Sequence, residues 1–171
     1  STFEGSMMAI KTVNSLSHYT EWTVAHVHSG SLGWVAMITI GSLYAMAPRA
    51  LGQEAMHSRT AMDLHFWLHI AGVLLYVVSM WIAGVTQGLM WRATGVDGTL
   101  TYPFIDSLIA IRGLYGVRWF GGVLILSGMV VMAWNLWHTA AAARARLIKP
   151  IPVPIPEPEP DQVPTPLPAY R

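Results

Sequence analysis

Apolar residues in this chain fall into long uninterrupted blocks. No Asp, Glu, Lys or Arg lies between Glu21 and Arg49, between Asp63 and Arg92, or between Arg118 and Arg144. Each block exceeds the ~20 residues with which a helix crosses ~30 Å of hydrocarbon. Strands would leave open edges in lipid, so the blocks predict membrane-spanning helices at about 22–47, 64–91 and 119–143. A further segment, 3–19, is apolar enough for a partial span, but Glu4, Lys11, Asn14 and His18 interrupt it. It is expected to pack inside a bundle and not against lipid. Residues 105–116 read as an amphipathic connector at the interface, and Gly95-Val96-Asp97-Gly98 as a turn. The fold class predicted is all-α: a polytopic transmembrane helix bundle over residues 1–144, with three full spans and one partial N-terminal helix. Residues 145–171 form a separate tail. Beyond Pro150 nearly every second residue is Pro, which predicts an extended, polyproline-like segment suited to partner docking or to a solvated end.

Composition agrees with the block pattern. The 171 residues are 53% hydrophobic and 11% charged, against about 25% charged in a soluble domain. Such a surface faces lipid. The net charge of +1 gives no field for nucleic acid. With no Cys, metal ligands must come from His, carboxylate, Met or Tyr. The eight Trp residues fall mostly near predicted span ends, as an interfacial belt would. Three full spans put Arg49, Arg59, Arg144, Arg146 and Lys149 on one side and Lys11, Arg92, Arg112 and Arg118 on the other. The small excess favours a cytoplasmic C-terminus. The start at Ser1-Thr2-Phe3-Glu4, without an initiating Met or a signal-peptide pattern, is expected of a piece of something longer.

The candidate chemistry lies in the histidines. His26-Val27-His28 stands near the start of the first full span, where imidazoles are costly without partners. Positions i and i+2 of a helix point roughly 200° apart. One metal ion cannot take both from one face, but two separate irons on opposite faces can each take one. A helix between two haems fits that geometry, and Ala25, Ser29, Gly30, Ser31 and Gly33 would let flat macrocycles or helices approach. The alternative is a pair of hydrogen-bonded core histidines. His65 and His69, at i and i+4, share a face that could hold one metal; with no third ligand visible they read as a polar seam near a helix end. Asn14 and His18, also i and i+4, can bind anionic groups such as haem propionates, or each other. Glu4 is an intramembrane carboxylate and therefore functional or paired. His57 and His138 read as surface residues. Gly121-Gly122 and the other small residues in the spans read as helix-packing positions.

The runs Ser1-Thr2-Phe3-Glu4-Gly5, Asn14-Ser15-Leu16-Ser17-His18-Tyr19-Thr20 and His26-Val27-His28-Ser29-Gly30-Ser31-Leu32-Gly33-Trp34 resemble the catalytic subunit of cbb3-type cytochrome c oxidases, the C-family haem–copper oxidases. The resemblance continues through His65-Phe66-Trp67, Thr86-Gln87-Gly88-Leu89-Met90-Trp91-Arg92-Ala93, Asp97-Gly98-Thr99-Leu100-Thr101-Tyr102, and Arg118 with Gly121-Gly122. It covers all but the Pro-rich tail and implies the last third of a subunit of about a dozen helices. It implies that His26 is the proximal ligand of high-spin haem b and His28 an axial ligand of low-spin haem b. It places Glu4 near the proximal side of the high-spin haem as the candidate catalytic carboxylate. Asn14, His18 and Arg118 fall near propionates. The copper ligands, the cross-linked tyrosine and the second low-spin ligand would lie in earlier helices, so copper is not ligated by this chain. The implied partners are the N-terminal part of the same subunit, membrane-anchored c-type cytochromes, oxygen and the lipid of a bacterial cytoplasmic membrane. The implied activity is reduction of oxygen to water with proton pumping. A membrane cytochrome b, a nitric oxide reductase-like subunit and a cofactor-free structural subunit are the rivals.

Overall fold

The computed structural model describes residues 1–148; the Pro-rich tail expected beyond Pro150 lies outside them. Among the described residues six α-helices run in chain order: α1 (Thr2–Met8), α2 (Lys11–Ser17), α3 (Glu21–His28), α4 (Ala36–Ala50), α5 (Arg59–Arg92) and α6 (Phe104–Ile148). A π-helical stretch, Ser29–Val35, joins α3 to α4 without a break. Glu21–Ala50, Arg59–Arg92 and Phe104–Arg146 are each long and apolar enough to cross a membrane. The all-α membrane bundle with three full spans is therefore present.

Two boundaries differ from the sequence expectation. Segment 3–19 is two short helices, because Ile10 is extended at φ −65° and ψ 126° and restarts the chain as the N-cap of α2. The expected connector at 105–116 is the first part of α6, which continues through Arg112 and Arg118 without a break. Those arginines look like span limits in sequence, but Arg118 has an acidic partner in the fold and does not end the helix.

Helix ends follow local chemistry. Thr20 caps α3 by accepting the N–H of Trp22 at 3.2 Å. The preceding Tyr19 takes φ 61°, an unusual left-handed conformation for a residue with a side chain. The α4 helix ends in a Schellman motif: Gly52 at φ 64° lets its N–H reach Arg49 O, and Gln53 N–H reaches Pro48 O at 2.8 Å. Between α5 and α6 the expected turn forms, with Gly98 at φ 78° donating to Gly95 O at 3.0 Å. There the Thr99 hydroxyl and N–H hold the exposed Asp97 carboxyl below its ordinary pKa.

Helix α5 is the centre of the bundle. It packs most extensively against α6 and also against α3 and α2. Small residues make the approaches possible. A Cβ on Gly72 would stand 2.7 Å from Gly121 O, and one on Gly121 would stand 2.8 Å from Gly72 O. A Cβ on Gly84 would collide with the Trp22 backbone, and one on Gly88 with Leu16 O. In lipid such contacts supply packing that the hydrophobic effect does not. Ala25, Val77 and Met80 form the buried apolar cluster, flanked by Val73 and Tyr76. At the far end Asn135 clasps the start of α5, accepting Ser58 N–H at 2.9 Å and donating to Ser58 O at 2.8 Å. Thr139 accepts the N–H of His57 at 3.0 Å. The His57 ring lies among Trp134 and His138 near the surface.

Candidate functional site

The α3 helix presents its two histidines to different neighbours, as their spacing predicts. His26 faces α1: its Nδ1 lies 3.2 Å from Glu4 Oε2. His28 faces α5: its ring centre is 5.2 Å from that of Tyr76, and its Nδ1 donates to Val24 O at 2.8 Å. Each imidazole therefore engages Nδ1 with an acceptor, and its Nε2 makes no hydrogen bond among the described residues. That arrangement fixes tautomer and ring orientation in metal-binding histidines. Gly5 keeps the space beside His26 clear, since a Cβ there would lie 3.3 Å from His26 Nε2.

Glu4 is a hub. Besides His26, its Oε1 accepts the indole N–H of Trp22 at 2.9 Å and of Trp81 at 2.6 Å. Trp22, near a span start, and Trp81, inside a span, thus donate to one carboxylate oxygen. Both donors hold the same Glu4 oxygen in place.

On the other side, Arg118 pairs with Glu21 at 2.8 Å. The Tyr115 hydroxyl donates to the same carboxylate at 3.4 Å, and its ring centre lies 4.9 Å from the Arg118 guanidinium carbon. Gln87 Oε1 accepts Glu21 N–H at 2.8 Å, which satisfies an otherwise orphan donor at the start of α3. Tyr76, Tyr115 and Arg118 line a cleft of about 490 Å³ between α5 and α6. Tyr76 links this cleft to His28.

Asn14 and His18 are exposed, and neither side chain makes a hydrogen bond among the described residues. The His18 ring rests edge-on against Tyr19, at 4.1 Å between ring centres. Glu4, Trp22, Trp81 and His26 gather at one place, and Glu21, Tyr115 and Arg118 at another; Asn14 and His18 join neither. Sequence reading missed Glu21, which looked like a span limit, and Trp81, whose only signal was a Trp inside a span. Among the described residues, no group of three or more His, Asp or Glu forms a metal cage. Two separate imidazoles, each with one free nitrogen, suit two planar cofactors that bring their own equatorial ligands.

These features define a polytopic helical membrane protein with two back-to-back imidazole sites on one helix. The chain belongs to the family described as cytochrome C and quinol oxidase polypeptide I, whose match covers residues 1–124. It is 57% identical over 144 residues to the cbb3-type cytochrome c oxidase subunit CcoN1 of Stutzerimonas stutzeri, covering 84% of this chain and 30% of that one. It is 50% identical over 142 residues to a cytochrome c oxidase subunit 1 homolog of Azorhizobium caulinodans, covering 83% of this chain and 26% of that one. Similarity to a nitric oxide reductase polypeptide of Stutzerimonas stutzeri is lower, 26% over 129 residues, covering 74% of this chain and 27% of that one. The chain thus spans less than a third of the length of these relatives.

Proposed function

We propose that the chain is the C-terminal part of the catalytic subunit of a cbb3-type cytochrome c oxidase, working in a bacterial cytoplasmic membrane with its C-terminus on the cytoplasmic side. His26 would hold high-spin haem b through Nε2, and His28 would hold low-spin haem b on the opposite face. The observation that carries this reading is the free Nε2 on each ring, with Nδ1 already engaged, on two sides of one helix. When bound, the haems supply iron that carries electrons and, beside copper held by the N-terminal part of the subunit, reduces oxygen to water. Membrane-anchored c-type cytochromes would deliver the electrons, with proton translocation coupled to the reaction.

The chain's own residues orient and insulate. Glu4 accepts the Nδ1 proton of His26 and fixes the Nε2 lone pair outward; Trp22 and Trp81 hold Glu4 in place. The Val24 carbonyl does the same for His28 without a charge. Asn14 and His18, with their side chains free, are suited to bind propionate carboxylates. Arg118 is committed to Glu21, and its remaining N–H donors can serve a propionate at the cleft. The higher identity to oxidase subunits favours oxygen over nitric oxide as substrate.

The test uses the purified complex that carries this chain. His28→Ala should remove the low-spin haem absorbance, and His26→Ala should alter the high-spin spectrum alone. Oxygen consumption should exceed nitric oxide consumption in the wild type. Wild-type haem spectra in both variants would defeat the ligand assignment, and a nitric oxide preference would replace the oxidase reading.

A further inference from the structure

The chain between His28 and α4 does not dictate its own conformation. His28 is the N-cap of the π-helical stretch Ser29–Val35, and Ala36 N–H at its end donates to Ser31 O, five residues back. Ser29, Gly30, Ser31 and Gly33 make up four of its seven residues. Gly is among the weakest helix formers, and a Ser hydroxyl competes for backbone groups, as Ser29 Oγ does by donating to His26 O at 2.8 Å. The local sequence leaves the bonding pattern open, so a tertiary contact must choose it. Return to i→i+4 bonding over the stretch would turn His28 against α4 by an angle on the order of tens of degrees.

Helix α5 supplies that contact. His69 is 1% exposed, and its Nε2 lies 3.0 Å from Leu32 O, inside the stretch. A carbonyl only accepts, so Nε2 carries the proton and donates it. Among the described residues this is the one side-chain hydrogen bond between the stretch and any part of the chain outside the Glu21–Ala50 span. The His69 Nδ1 makes none, so Leu32 O is the ring's one polar partner. Burying a polar ring is costly, and an apolar side chain would fill the place with less loss. What the imidazole adds is the donor. One turn earlier on α5, the buried His65 shares a hydrogen bond of 3.0 Å with the Tyr44 hydroxyl on α4. Helix α6 backs that ring, since a Cβ on Gly128 would lie 3.1 Å from His65 Cδ2. Two imidazoles on one helix thus grip the first span at the irregular stretch and again beyond it.

The His28 ring follows the stretch. Its Nδ1 is bonded to Val24 O, so the ring turns with α3. Helix α3 is seated on α5 at Trp22 and Ala25. His28, the last residue of α3, lies beyond those contacts and takes the direction that the stretch gives it. We propose that His69 and His65 are positioning residues for His28: by holding Leu32 O and Tyr44 they set the angle of α3 to α4 and so the plane of the His28 imidazole. The inference rests on His28 binding the low-spin haem and names the residues that aim it. Orientation of an axial imidazole by outer hydrogen bonds is one of a protein's levers on haem iron.

The test uses the purified complex in its ferric form. His69→Leu should move the low-field low-spin signal in electron paramagnetic resonance at wild-type haem content. It should also raise amide hydrogen exchange across Ser29–Val35 about ten-fold, the equivalent of one hydrogen bond. His69→Gln, whose side-chain amide nitrogen can stand where Nε2 stands, should keep both readouts at wild type. Tyr44→Phe removes a single hydroxyl and should move the signal by less; it decides the matter if His69→Leu does not assemble. An unmoved signal in assembled His69→Leu, or in Tyr44→Phe where only that variant assembles, overturns the proposal even if exchange rises, because the bond would then be merely structural. A wild-type complex with no low-spin signal would instead defeat the haem assignment beneath it.

Discussion

On one face of α3, His26 turns its Nδ1 to a carboxylate brought from another helix. On the other face, two residues later, His28 turns its Nδ1 to the carbonyl of its own preceding turn. The residue type is the same and the second partner differs. A carboxylate raises the basicity of the imidazole it holds; a neutral carbonyl does so less. It also depends on tertiary structure, because Glu4 reaches His26 only if α1 docks and if Trp22 and Trp81 hold its other oxygen. The carbonyl of Val24 needs nothing but a helix. One face is therefore tuned by the fold, and the other is set by local backbone.

Three changes separate the two faces, beginning with the one that should erase both. Gly84→Leu places a side chain where the Trp22 backbone lies. It should displace α3 from α5 and cost about 3 kcal/mol or more, at or beyond the usual overpacking range. Thermal unfolding of the complex should show a lowered Tm and haem loss from both faces; an unchanged Tm would falsify the close α3–α5 approach. Glu4→Ala should act on the His26 face alone. It leaves two indole N–H groups and one imidazole without their acceptor; Trp81 is exposed and Trp22 and His26 are half-buried, so each loss stays below the ~1–3 kcal/mol of a fully buried orphan. Cofactor retention on His26 should fall about 10- to 100-fold, followed by high-spin haem absorbance during dilution, while the His28 component stays. Arg118→Met is the mildest. The Arg118 and Glu21 side chains are 29% and 16% exposed, so the loss should be ~1–2 kcal/mol, between the exposed and buried limits for an ion pair. A double-mutant cycle with Glu21→Gln should recover a coupling of that size, confined to the His28 side.

The spans were legible because membrane helices must exclude charge over a fixed length, and the chain does so three times. The opposed directions of His26 and His28 were legible because they depend only on helix geometry. The break at Ile10 was not, since it is one extended residue within an apolar segment. Nor was the continuity of α6 through Arg118, because the neutralising Glu21 lies 97 positions away. The same distance problem hid Trp81 as a partner of Glu4, at a separation of 77. His65 and His69 could be placed on one face from spacing, and their burial follows from packing that no local pattern encodes. The gatherings around Glu4 and Glu21 are properties of the assembled bundle.

The π-helical stretch between α3 and α4 bears on how these sites coexist. Its i→i+5 bonding adds residues per turn relative to an α-helix, so the two halves of the Glu21–Ala50 rod are out of phase with a single continuous screw. The half that carries His26 and His28 can point its azimuth by one rule, and the half that carries Tyr44 by another. Leu32, which accepts from His69, sits within the phase shift itself. The stretch behaves as a rotary joint frozen at one setting: it permits one rod to serve two addresses whose angular demands an uninterrupted helix could not meet together.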